Sequence, residues 1–130
     1  MQIISEQKII KESEDHFNGQ VEIKSLFNPV GVGQVNGILV SFKPGARTAW
    51  QIHSVGQNLI ILSGKGWIQV EGSFKLPIKE GDVVQFESGE KHWYGSTETD
   101  EMSCIAIQEN NKEGKAVEWL EPVSYKNYRY

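Results

Sequence analysis

Cysteine is nearly absent. Cys104 stands alone in 130 residues, which excludes an intramolecular disulfide and fits a reducing compartment. Long apolar runs are missing as well: no stretch approaches the roughly 20 apolar residues of a membrane helix. The opening MQIISEQKII lacks the basic start and apolar run of a secretory signal. Positive charge is scarce, with 13 Lys and Arg against 17 Asp and Glu and a net charge of -4. Nothing gathers the basic residues into a phosphate-binding stripe, so neither nucleic acid nor membrane is expected as a partner. These absences predict a cytoplasmic protein. A chain of this length buries about two-thirds of its unfolded surface and folds without disulfides. Helical periodicity is also rare.

Short apolar segments punctuated by thirteen glycines take its place. Gly37 to Phe42 reads as a strand closed by the turn Lys43-Pro44-Gly45. Arg47 to His53 reads as the next, and Asn58 to Leu62, apolar in all but its first residue, suits a strand buried on both faces. Ser63-Gly64-Lys65-Gly66 predicts a hairpin turn into Trp67 to Val70. Further strands are expected over Phe74 to Ile78, Val83 to Phe86, Lys91 to Tyr94 and Met102 to Glu109. Strands at this spacing predict an all-β antiparallel sandwich or barrel. The expected organisation is a single domain over 1–130, with an arm over 1–20, a barrel core over 37–109 and a C-terminal segment over 110–130. The arm is expected to hold a short helix or an extended piece.

Side chains alternate along a strand, so Ala49, Gln51 and His53 share one face. Gln57 follows the turn Ser54-Val55-Gly56 and can re-enter the same cavity. His92 with Tyr94 forms a second inward pair, and Met102, Cys104, Ala106 and Gln108 form a third set. With Ile38, Val40 and Phe42 as an apolar wall, these converge on a small-molecule pocket. A lone inward Cys104 is ordinarily a small buried hydrophobe, and a reactive thiolate there would need a cation beside it. His16 is expected on the surface. Trp50, Trp67 and Trp93 alternate away from the pocket face or flank it, and fit sheet packing or a subunit interface.

The spacing resembles the cupins, small double-stranded β-helix or jelly-roll barrels. Their first motif is glycine, five residues, His-x-His, three or four residues, Glu, six residues and glycine. Gly45, Gln51, His53, Gln57 and Gly64 occupy its positions. The second motif runs from Gly81 through Glu87-Ser88-Gly89 to His92, with Glu87 in the usual proline position. The stretches Pro44 to Trp50, Gly89 to Trp93 and Gly114 to Glu121 are similar to a bacterial subgroup associated with carboxymuconolactone decarboxylases. That subgroup contains manganese-dependent hydroxynitrile lyases.

The resemblance implies a divalent metal (Mn, Fe, Ni or Zn) held by His53, His92, Gln57 and Gln51. Gln51 replaces an expected histidine, so the set holds two imidazoles and two amides with no anion. Tyr94, Cys104 and Gln108 are implied as pocket-lining catalytic residues. Tyr94 and Cys104 stand where those lyases carry histidines, the latter a general base, so cyanohydrin cleavage is not expected of this site. The expected function is binding a small oxygen-bearing organic molecule over a divalent metal, with lyase, isomerase or dioxygenase chemistry open. The competing readings are a metal-free small-molecule binder and a structural dimer with a solid barrel. A homodimer or higher homo-oligomer is expected, with the arm carrying Ile3, Ile4, Ile9 and Ile10 as the exchanged piece.

Overall fold

Period-two alternation turns most of the chain into antiparallel strands. The structure is a computed structural model describing residues 1–130. In order the strands are β1 (Ile9–Ile10), β2 (Phe17–Asn18), β3 (Val21–Phe27), β4 (Val35–Phe42), β5 (Arg47–Thr48) and β6 (Gln51–Ile52). They continue as β7 (Gln57–Val70), β8 (Leu76–Lys79), β9 (Val83–Phe86), β10 (His92–Ser96), β11 (Met102–Glu109) and β12 (Glu118–Trp119). A 3-10 turn over Glu14–His16 precedes β2, and a short helix α1 (Tyr125–Arg129) follows β12. The strands pair in the order β1-β3-β4-β11-β7-β10-β5-β2, with β8 and β9 on β7 and the ladder β12-β6-β10 to one side. The sheet curls on itself as a jelly-roll barrel, the all-β architecture expected.

Three strand predictions need correction. The expected hairpin at Ser63–Gly66 does not form, and β7 runs unbroken through it. Its first half pairs with β11 and β9, its second half with β10 and β8. One strand thereby serves both walls of the barrel. The crossing is marked by a register shift between Ser103 and Cys104, and bulges of this kind sharpen twist. Gly64 sits there at φ 78°, and a Cβ on it would run into the Glu101 carbonyl oxygen. The glycines serve close backbone approach where the sequence suggested a turn.

Arg47 to His53, expected as one strand, is divided into β5 and β6 because the backbones of Ala49 and Trp50 leave the ladder. Their N–H groups donate to the carbonyls of His16 and Glu121, at 2.8 and 2.9 Å. Asn58 to Leu62 is buried on one face only. Leu59 and Ile61 are buried, whereas Asn58 and Leu62 are exposed.

Inside the barrel Val40, Phe42, Leu59, Ile61, Met102, Cys104 and Ala106 form the apolar core. A second cluster lies outside it, where Trp93, Val123 and Tyr128 pack with Trp50 and Trp67. The C-terminal segment is fastened there by Arg47, whose Nε and Nη2 donate to the Val123 carbonyl at 3.1 and 2.8 Å. The tryptophans therefore serve sheet packing, as expected. At the other terminus β1 pairs with β3 of the same chain.

Candidate metal centre and cavity

Two cross-strand ladders bring the predicted residues together. In one, Gln51 pairs with His92 on one side and Trp119 on the other. In the second, Gln57 pairs with Gln108 on β11 and Phe86 on β9. The alternation expected of Gln51 and His53, of His92 and Tyr94, and of Met102 through Gln108 places all of them in the interior. Gln51, His53, Gln57, His92, Tyr94, Cys104 and Gln108 are each buried.

The polar atoms are oriented by anchors that cannot turn. The Gln108 side-chain nitrogen donates to the Ala106 carbonyl at 3.3 Å and to Asn36 Oδ1 at 2.6 Å. Its oxygen is left to accept from Gln57 Nε2 at 3.1 Å, and Gln57 Nε2 also donates to the Tyr94 hydroxyl at 3.2 Å. That sequence turns Gln57 Oε1 toward His92 Nε2, 2.8 Å away. His92 Nδ1 lies 2.9 Å from the Glu90 carbonyl, an acceptor only, so Nδ1 carries the proton and donates. Gln51 is fixed in the same way: its Nε2 donates to the Ala49 carbonyl at 3.4 Å, and Oε1 faces His53 Nε2 at 2.8 Å. The His53 and His92 rings stand 5.7 Å apart, centroid to centroid.

Burial keeps both imidazoles neutral. Desolvation lowers His53 to about 3, helped by repulsion from His92. His92 is lowered to about 4, again by desolvation, and the Glu90 carbonyl opposes the shift. Phe86 lies flat against the His92 ring at 3.6 Å. Neutral His92 with its proton on Nδ1 presents a lone pair on Nε2. Gln57 Oε1 also presents lone pairs, so two acceptors face each other in the interior. His53 Nδ1 makes no hydrogen bond. The Ala116 carbonyl approaches that ring closely enough to favour its charged form, at a geometry short of a hydrogen bond.

This donor set fits a divalent cation. His92 Nε2 faces Gln57 Oε1 and His53 Nε2 faces Gln51 Oε1, each at 2.8 Å, and the N–H groups of Gln51, Gln57 and His92 are held elsewhere. Imidazole and carbonyl oxygen together suit first-row divalent ions. There is no cluster of three or more His, Cys, Asp or Glu side chains, so a bound ion would retain its charge.

Beside the donors lies a cavity of about 170 Å³. Gln51, His53, Gln57, Tyr94 and Gln108 form its polar floor, and Ile23, Ile38 and Val40 one wall. Phe42 belongs instead to the core beneath. His92 and Cys104 do not line the cavity: His92 stands behind Gln57 with no exposed surface, and Cys104 is packed in the core. Burial pushes the Cys104 thiol up to about 12, so it packs as a small apolar group. Burial also pushes Tyr94 well above the ordinary phenol range, reinforced by Cys104 and opposed by the hydrogen bond from Gln57.

The mouth of the cavity was not read from sequence. Ile10, Glu12 and Phe17 of the arm close one side, and Ala116, Val117 and Trp119 the other. His16, expected at the surface, stacks on Trp119 with ring centroids 4.3 Å apart. Asn36 was also missed, although it is inward by alternation with Ile38, one residue before the expected strand start.

Comparison with known proteins agrees with this architecture. A cupin domain family model matches residues 38–108, more than half of the chain. An (R)-mandelonitrile lyase of Granulicella tundricola is 49% identical over 115 residues, covering 88% of this chain and 87% of that protein. A cupin-like protein from Thermotoga maritima has a TM-score of 0.85 at 36% identity, covering 98% of this chain and 96% of that one. A polyketide cyclase from Streptomyces resistomycificus, 13% identical, shares the fold alone, with a TM-score of 0.75 over 99% of this chain and 91% of that one. The chain belongs to the cupin family.

Proposed function

We propose that this cupin holds a divalent metal ion at His53, His92, Gln57 and Gln51 and cleaves a small 2-hydroxynitrile in the adjoining cavity. The observation that carries the metal half is the opposition of lone pairs between His92 Nε2 and Gln57 Oε1 at 2.8 Å. Two acceptors buried face to face are costly unless a cation lies between them. The 49% identity to an (R)-mandelonitrile lyase supports the reaction class. When bound, the ion would act as a Lewis acid toward an oxygen of the substrate.

The chain's own residues supply binding and orientation. The apolar wall of Ile23, Ile38 and Val40 receives the organic part of the substrate. Tyr94 accepts from Gln57 and keeps its own O–H for donation, since burial holds it as a phenol. Phe17 and Trp119 cover the mouth and limit water. Cys104 excludes cleavage only if the proton must pass to position 104.

The test is cyanide release from mandelonitrile by protein loaded with manganese. Release that disappears on chelation and returns with the ion is the expected result. Release no faster than in buffer would overturn the reading. A metal-free binder is favoured by one observation: the Gln51–His53 pair can satisfy itself as an Nε2–H to Oε1 hydrogen bond. Ligand binding that persists unchanged in chelated protein would support that second reading.

A further inference from the structure

The proposed cleavage needs a base, and the cavity wall offers few. Of its lining residues only Glu12, His53 and Tyr94 are ionisable. His53 belongs to the donor set, and Tyr94 is held as a phenol. Glu12 remains. Its side chain is 33% exposed at the mouth, and its Oε1 accepts a hydrogen bond from His16 Nδ1 at 2.9 Å. His16 in turn lies flat on Trp119, the planes inclined by 11°. Trp119 lines the same cavity, and its backbone pairs with Gln51. The stack therefore fixes the imidazole relative to the donor ladder, and the imidazole fixes the carboxylate. Other charged groups near Glu12 are Glu14 on the adjoining turn and Lys11, Glu22, Lys43 and Glu101 along the outer groove. Lys43 pairs with Glu101, and Glu22 with Lys24. His53 and Tyr94 line the same cavity.

We infer that Glu12 is the general base of this cavity and His16 its positioning residue, an assignment that rests on the 2-hydroxynitrile reading. Glu12 Oε2 takes the hydroxyl proton of the substrate. The electrons of that O–H bond form the carbonyl, and the bond to the nitrile carbon breaks with its pair leaving on cyanide. Glu12 then returns the proton to cyanide. One 2-hydroxynitrile thus yields one carbonyl compound and one hydrogen cyanide, and the carboxylate is restored.

The experiment compares manganese-loaded wild type, Glu12→Gln and Glu12→Asp for cyanide release from mandelonitrile, from about pH 4 to pH 8. In Glu12→Gln, kcat/KM is expected to fall about 100-fold or more with loss of the acidic limb, while manganese stoichiometry is unchanged. Glu12→Asp keeps an acidic limb at reduced rate, and decides the matter if the glutamine variant fails to fold. A readout independent of turnover is the position of the His16 ring resonances at one fixed pH in metal-free protein, which should change in Glu12→Gln as the hydrogen-bond partner of Nδ1 changes. An active wild type whose glutamine variant keeps its rate within about threefold and its pH profile overturns this inference alone. A wild type that loads manganese and releases no cyanide overturns the cleavage reading and this inference together.

Discussion

Gln57 Oε1 and His92 Nε2 stand 2.8 Å apart, each with its N–H groups turned away and anchored. The anchors are backbone carbonyls at both ends, Ala106 through Gln108 and Glu90 directly. The lone pairs meet because the surrounding hydrogen bonds leave them no other direction.

With the proposed metal site, that arrangement would make Gln108 a determinant of metal affinity without touching the ion. Gln108→Leu frees the Gln57 amide to turn its NH₂ toward His92. Manganese affinity, measured by calorimetry, is expected to fall about 10- to 100-fold, as for outer partners that orient ligands. Equal affinity in the variant would show that Gln57 needs no anchor.

Gln51→His tests the opposite direction. Imidazole is a better donor than a carboxamide oxygen to first-row divalent ions, and position 51 pairs with His92 across the ladder. Affinity for manganese or zinc should rise. An unchanged affinity would place position 51 outside the coordination.

The metal-free protein should lose stability in mild acid. Imidazoles of the unfolded chain take a proton near pH 6.5, whereas folded His92 and His53 do so near 4 and 3. Between these values the unfolded state binds more protons, so stability declines as the pH falls from 6.5 and levels off below the folded values. At pH 5 the loss is about 2 kcal/mol per histidine. Urea unfolding of chelated protein at pH 7.5 and pH 5 measures it, and a midpoint independent of pH would contradict the neutral, buried imidazoles.

Trp93 offers a separation of stability from site. It has no exposed surface and packs with Val123 and Tyr128 on the outer side of β10. Trp93→Ala should cost about 3–5 kcal/mol of unfolding free energy, while metal stoichiometry at a permissive temperature stays that of wild type. A loss of metal at full folding would mean that the outer cluster shapes the donors.

The inward placement of most of the buried polar residues was legible in the sequence because strand alternation has a period of two. Gln51 with His53, His92 with Tyr94, and Cys104 with Gln108 each needed only parity to be placed inside. Other features depend on partners distant in the chain. Ser63-Gly64-Lys65-Gly66 has the composition of a turn, and only its pairing with β11, β8 and β10 keeps it within one strand. Leu62 looks like core by composition, but it lies on the face opposite buried Leu59 and Ile61. Glu12 and Trp119 carry no periodic signal, since their place at the mouth follows from β12 pairing with β6 and from the His16 stack.

The most direct measurement is elemental analysis of wild type and His92→Ala after incubation with manganese, iron, nickel and zinc and removal of free ion. The opposed lone pairs predict one ion per chain in wild type and none in His92→Ala. A wild type that retains no ion, or a variant that retains as much, would contradict the account.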